Sequence, residues 1–291
     1  MLTVESLSAW YGAARILYDL SFDVGRGEVV ALMGRNGAGK STTMKAVMGL
    51  LAQRKGVVRF NGEDISGRKP FEIARRGLGF TPEDRRIFVD LTVMENLDIG
   101  RQPPRLFADG TPAPSWTPEQ LFTLFPNLAE MPDRPGGRMS GGEQQMLTVA
   151  RTLMGNPLLV LLDEPSEGVA PLIVEQMANT ILALKKQGLS ILLSEQNIHF
   201  ARLVSDRVYV LEKGAVRFFG AAAELRREQE GEREDPCQHR ITAREQRCRL
   251  RSPERLGDRR RSNSNRRRPS HSSRVGRESR EESRAPQSSK T

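Results

Sequence analysis

Apolar residues along the chain gather into short dense runs separated by longer amphipathic stretches. The run GEVVALMG (27–34) is apolar, β-branched and closed by glycine, which predicts a buried strand. KSTTMKAVMGLL (40–51) follows with the period of a helix that has one apolar face. KGVVRFNGEDI (55–65) predicts a short strand with an Asn-Gly turn, and GLGFTPE (77–83) another, stopped by Pro82. PLLVLLDEP (157–165) and SILLSEQ (190–196) are apolar throughout, the pattern of strands buried on both faces. Between them APLIVEQMANTILALKKQG (170–188) predicts an amphipathic helix. DRVYVLEKGAVRFFG (206–220) predicts a closing hairpin about a Lys-Gly turn.

Strands alternating with helices predict an α/β fold whose mostly parallel sheet is flanked by helices. Residues 85–156 break the alternation. LTVMENLDIG, TPEQLFTLFPNL and GEQQMLTVARTLM are helical, joined by the Pro-rich RQPPRLFADGTPAPSWTPE. The expected organisation is a core of residues 1–84 and 157–225, an inserted helical subdomain at 85–156, and a tail at 226–291.

Charge separates the tail from the rest. Residues 226–291 hold 20 Lys+Arg against 11 Asp+Glu, which accounts for the whole net charge of +9. Residues 1–225 balance at 25 of each, so the basic excess says nothing about the globular part. The tail is Arg- and Ser-rich and has no aromatic residue. It cannot bury enough apolar surface to offset its ordering entropy, so disorder is expected. Three readings of it stand: a solvated extension, an electrostatic contact to nucleic acid or anionic lipid, or a gene read out of frame. Both cysteines, Cys237 and Cys248, lie there, so the globular part has no disulfide framework, which suits a reducing compartment. MLTVESLSAWYG lacks a basic n-region and a long apolar stretch, so no signal peptide is expected.

Three stretches carry chemistry. Gly34-Arg35-Asn36-Gly37-Ala38-Gly39-Lys40-Ser41-Thr42 has the P-loop pattern, after a strand and opening a helix as that pattern requires. Its glycines let backbone N–H groups curl around phosphates, Lys40 adds a point charge, and the Ser41 hydroxyl is placed for Mg²⁺. LLVLLDEP ends an apolar strand in Asp163, a carboxylate able to hold Mg²⁺, and Glu164, able to polarise a water for in-line attack. RMSGGEQQML (138–147) puts Ser140, Gly141 and Gly142 before a helical run, a second anion cradle. Spacing leaves open whether it closes over the ligand of Lys40 or over another molecule's.

With this triple the chain resembles the ATP-binding subunits of ABC transporters over residues 1–225. That resemblance implies a P-loop NTPase core with an N-terminal antiparallel β portion, ATP and Mg²⁺ as ligands, and head-to-tail pairing of two cassettes. Ser140, Gly141, Gly142 and Glu143 would then meet the partner's nucleotide in trans. Tyr11 would stack on adenine; the plainer reading is a half-buried strand aromatic, and neighbouring Trp10 leaves the register open. SEGV (166–169) would be a dimer-contact loop. PEDRRIFVDLTVMENL (82–97), SGGEQQML and LDEPSEGVAPLIV most resemble the ATPases of branched-chain amino-acid importers and their urea and amide relatives. The implied partners are a second, similar ATPase, two permeases and, indirectly, a substrate-binding protein. The implied location is the cytoplasmic face of the membrane, held there through the permeases.

The chain departs from the wider family at Glu83, where most members have glutamine in a loop near Mg²⁺ and the permease. It departs again at Gln196, where most have a histidine that contacts the γ-phosphate. Glutamine donates a hydrogen bond but carries no positive charge and shuttles no proton. Val89 replaces a proline common in the subfamily. His199, near Gln196, is the one histidine of the globular part, and a helix-surface position is the simpler reading. An alternative of another class is a soluble ABC ATPase acting on nucleic acid or ribosomes. The single cassette, without a long coiled-coil insert, argues against nucleic acid as the partner.

Overall fold

The computed structural model describes residues 1–225; the tail, with both cysteines and the three readings of it, lies outside the described residues. The elements run β1 Leu2–Tyr11, β2 Ala14–Val24, β3 Val29–Met33, α1 Lys40–Val47, β4 Gln53–Phe60, β5 Glu63–Asp64, α2 Pro70–Arg75 and β6 Leu78–Thr81. They continue with α3 Val93–Gly100, α4 Pro118–Leu124, α5 Pro126–Ala129, α6 Gly141–Leu153, β7 Leu159–Asp163, α7 Pro171–Lys186, β8 Ser190–Glu195, α8 Ile198–Val204, β9 Arg207–Glu212 and β10 Ala215–Ala221.

Two sheets form. The six-stranded sheet has the order β10-β9-β3-β8-β7-β6, parallel except for β10 at its edge. The antiparallel sheet has the order β2-β1-β4-β5. This is the expected α/β fold with its N-terminal antiparallel portion. β3, β7 and β8 are buried at every position, which is why their sequences are apolar runs without alternation. Alternate residues of these strands serve two cores. Val30, Leu32, Leu159, Leu161 and Leu192 pack with α1 and the antiparallel sheet, whereas Ala31, Met33, Val160, Leu162, Ile191 and Leu193 pack with α6, α7 and α8. At about 25 cal/mol per Å² of apolar surface, burial on both faces makes each of these strands contribute to both cores.

Several expectations shift at their boundaries. The helix predicted to reach residue 51 ends at Val47, capped by Met48, and the chain turns at Gly49. The single strand predicted over 55–65 is the β4–β5 hairpin, turned by Asn61 and Gly62. The helical stretch 85–156 holds α3 to α6, and its Pro-rich link runs across to the core. Ala108 N–H donates to Asn61 Oδ1 (3.0 Å), Arg26 pairs with Asp109 (2.9 Å), and Trp116 N–H donates to Asn156 Oδ1 (2.8 Å). No helix among the described residues is long and apolar enough to cross a membrane.

Candidate active site

The ends of β3, β7 and β8 lie side by side at one edge of the parallel sheet, and each delivers one part of the site. After β3 the P-loop turns back on itself, with Ala38 N–H donating to Arg35 C=O at 3.0 Å. Gly37 and Gly39 are left-handed, φ 80° and 109°, and a Cβ on Gly37 would meet nothing within 4 Å, so the loop faces open space. α1 has no acidic residue in its first turn, which leaves its positive end unneutralised for an anion.

Lys40 is 3% exposed. Its Nζ donates to Gly34 C=O (2.7 Å) and Arg35 C=O (3.2 Å) and forms an ion pair with Glu164 Oε1 at 3.1 Å. Glu164 adopts a left-handed φ of 49°, a conformation that costs on the order of 1–3 kcal/mol for a residue with a side chain. Its N–H is held by Ser194 C=O and Ser194 Oγ, both at 3.1 Å. The strain is thus held in place by β8 and aims the carboxylate at Lys40.

Asp163 is buried behind Ser41. Ser41 Oγ donates to Asp163 Oδ1 at 2.9 Å, and Ser194 Oγ donates to the same oxygen at 2.6 Å. Burial pushes the Asp163 carboxyl above its ordinary range, against the pull of these two hydroxyls. A cleft of about 380 Å³ is lined by Tyr11, Ile16, Asn36, Gly37, Gly39, Lys40, Ser41, Thr42, Glu83, Glu164 and Glu167. Tyr11 therefore stands at the cleft, half exposed, while Trp10 turns away toward Arg15 and Lys55. Gln196 reaches the same group from the end of β8: its Nε2 donates to Glu164 Oε2 (3.1 Å) and Glu167 Oε2 (3.3 Å). His199 is exposed on α8.

Among the described residues, Ser140, Gly141, Gly142 and Glu143 are absent from the lining of this cleft. They form the start of α6. Ser140 is its N-cap: Ser140 Oγ accepts from Glu143 N–H (3.3 Å) and Ser140 N–H donates to Glu143 Oε2 (2.7 Å). The glycines answer to close neighbours, since a Cβ at 142 would lie 2.8 Å from Ile173 and one at 141 2.9 Å from the Arg85 guanidinium. The Glu83 loop is tied to this region. Gly136 N–H donates to Leu91 C=O and Gly137 N–H to Val89 C=O, both at 2.8 Å, and buried Asn96 bonds the backbone of Phe88, Leu91 and Thr92. Phe88 and Val89 are left half exposed.

Sequence reading missed Glu167, Ser194 and Arg85 as parts of these sites. Glu167 lies within SEGV, for which the resemblance implies only a dimer contact. Its carboxyl is pushed up to about 7, first by a hydrogen bond shared with Glu164, then by burial and by the like charges of Glu164 and Glu83. The folded chain thus retains protons that the unfolded chain gives up. The contribution of Glu167 to stability is full below the ordinary value of 4.5 and is lost as pH rises through about 7. Without nucleotide, the chain is expected to melt at a higher temperature near pH ~5.5 than near pH ~7.5. Glu167→Gln should flatten this dependence; a slope equally steep in the variant would remove Glu167 as its source.

The comparisons with known proteins fit this geometry. The family model described as ABC transporter matches residues 17–167. The high-affinity branched-chain amino acid transport ATP-binding protein BraG of Pseudomonas aeruginosa is 40% identical over 225 residues, covering 77% of this chain and 94% of that one. The chain belongs to the ABC transporter family. This ABC protein is an ATPase. It is also 34% identical to the lipopolysaccharide export system ATP-binding protein LptB of Haemophilus influenzae, over 80% of this chain and 95% of that one. Among solved structures, the ADP conformation of an ATP-binding cassette of an ABC transporter aligns with a TM-score of 0.66 at 28% identity, covering 80% and 95% of the two chains.

Proposed function

We propose that this ABC ATPase powers import of branched-chain amino acids through two partner permeases. The observation that carries the ATPase site is the union of Lys40 and Glu164 in one cleft, with Ser41 and Asp163 joined at 2.9 Å beside them. Lys40 and the amides of residues 34–42 bind the phosphates, Tyr11 meets the base, and Glu164 orients and deprotonates the attacking water. The oxygen donors of Ser41, Asp163 and Glu83 suit a hard cation, and Mg²⁺ held by them would neutralise charge on the phosphates. Gln196 keeps the Glu164 carboxylate directed through its amide. The importer reading draws support from the likeness to BraG and from the LivF protein of Archaeoglobus fulgidus, 34% identical over 94% of its length.

The separation of the Ser140 cradle from the cleft supports a site completed by a second cassette. Glu143 enters that reading through its backbone N–H, which would have to exchange its Ser140 Oγ partner for phosphate, because a carboxylate only accepts hydrogen bonds and repels phosphate. Residues 85–156 act as the helical subdomain on a core of 1–84 and 157–225. Exposed Phe88 and Val89, zippered to the segment before Ser140, are the surface offered to a permease on the cytoplasmic face. A nucleotide-driven shift of the Glu83 loop would reach both.

The test is copurification of the full chain from detergent extracts, followed by ligand binding to the associated substrate-binding protein. Permeases with a leucine-, isoleucine- or valine-binding protein support the reading. A urea- or amide-binding protein, or lipopolysaccharide export partners as for LptB, changes the cargo; ribosomes or nucleic acid overturn transport. A second measurement concerns rate. Gln196→His, assayed with the partner cassette, is expected to raise ATP turnover by ~3-fold or more, since histidine adds a proton-transferring group beside Glu164. No gain argues that Gln196 does not limit the site.

A further inference from the structure

Beside the cleft, Glu195 presents a puzzle. It is 1% exposed at the end of β8, and among the described residues no Lys or Arg pairs with it. Burying a carboxylate without a cation costs several kcal/mol unless hydrogen bonds replace its water. Three backbone N–H groups replace part of that water, and burial still holds the Glu195 carboxyl above its ordinary range. Ser166 donates to Oε1, and Gln196 and Asn197 donate to Oε2, all at 3.2 Å.

These donors come from two different segments. Ser166 lies two residues after Glu164, whereas Gln196 and Asn197 form the turn that leads into α8, which Asn197 caps through its side chain (3.2 Å to Phe200 N–H). The two oxygens of one carboxylate therefore fasten the loop after β7 to the turn after β8. The adjacent residues extend the seam: Ser194 holds the Glu164 N–H, and the Gln196 amide holds the Glu164 carboxylate. Glu195 sits between them, is absent from the cleft lining, and makes no hydrogen bond to Glu164.

We infer that Glu195 is a positioning residue, a buried clasp that fixes the Gln196 amide relative to the Glu164 carboxylate. This rests on the ATPase-site reading above. The clasp needs two acceptors. A glutamine at 195 keeps the shape but offers one oxygen, so its NH₂ must face either Ser166 N–H or the Gln196–Asn197 pair, donor against donor.

The experiment is a double-mutant cycle on the full chain with its partner cassette. Glu195→Gln is expected to lower kcat by ~10-fold while the KM for ATP moves by under ~2-fold. In a Gln196→Ala background the same change should lower kcat by under ~2-fold, because the amide it positions is gone. An equal drop in both backgrounds, or an unchanged kcat in the single variant, overturns the inference. Failure of the parent reading looks different: turnover that survives Lys40→Ala would show that the cleft is not the ATPase site. Hydrogen exchange needs no turnover. The Ser166 amide should exchange slowly in the unaltered chain and at least ~10-fold faster in Glu195→Gln, with the core strands unchanged. Where the variant does not fold, protection of Ser166 in the unaltered chain supports the clasp, and loop-like exchange there overturns it.

Discussion

Glu164→Gln is expected to cut ATP turnover by at least ~100-fold while ATP still binds. The amide fills the same volume, so α1, β7 and the P-loop keep their packing. It cannot take a proton from water, and the 3.1 Å ion pair with Lys40 becomes a weaker charge–dipole contact. Lys40 is then free to spend its charge on phosphate, so nucleotide affinity should hold or rise. Lys40→Ala should fail differently. It strands a Glu164 carboxylate that is 6% exposed and removes the phosphate's cation, so binding and turnover both go. Steady-state phosphate release with parallel nucleotide titration separates the two. Under the two-cassette reading, Glu164→Gln with ATP should also accumulate as a stable dimer on size exclusion. Turnover within ~3-fold of the parent would remove Glu164 from the base role.

Gly214→Ala is expected to destabilise the fold by roughly 3–5 kcal/mol, a large part of the ~5–15 kcal/mol that holds a domain together. Gly214 turns the β9–β10 hairpin with φ 76°, and an added Cβ would lie 1.8 Å from the Ile16 carbonyl oxygen. Backbone stands in the way, so no rotamer change relieves the clash. The turn is wedged between β2 and the P-loop: Tyr18 N–H donates to Gly214 C=O at 2.8 Å, and Gly214 N–H donates to Ala38 C=O at 2.9 Å. Relief of the clash therefore displaces Ala38, and ATP affinity should fall with stability. Denaturant melts and a nucleotide titration check both. A stability loss below ~1 kcal/mol would mean that the turn yields freely.

The parts that were legible from sequence share one property: their physics is local. An apolar run bounded by glycine and a P-loop declares β3 and its neighbour α1 within a dozen residues. Continuous apolar patterns likewise declare β7 and β8, because both faces are covered. The motifs assign Lys40 to phosphate and Glu164 to water, but their direct 3.1 Å ion pair is not among the expectations. What stayed hidden depends on approach in space. Glu195 looks like an acidic residue at a strand end, and only the fold brings Ser166 to it. Glu167 acquires its raised pKa from Glu164 and Glu83, the latter eighty-four residues away in the chain. The path of residues 101–117 is set by partners such as Asn61 and Asp109 that no periodicity announces. The short α2 falls below the length at which a helical period can be read, and the residues past Val47 kept a helix-like pattern although Met48 and Gly49 end the helix.

The strand order has a consequence for synthesis. β3, which launches the P-loop, is flanked by β8 and β9, and the β9–β10 turn props the loop from behind. A ribosome that has finished the P-loop must therefore still add about one hundred and seventy residues before the neighbours of β3 exist. Until then an apolar strand with two unpaired edges waits in the nascent chain, and a product truncated before residue 207 would carry the nucleotide motif without the means to shape it.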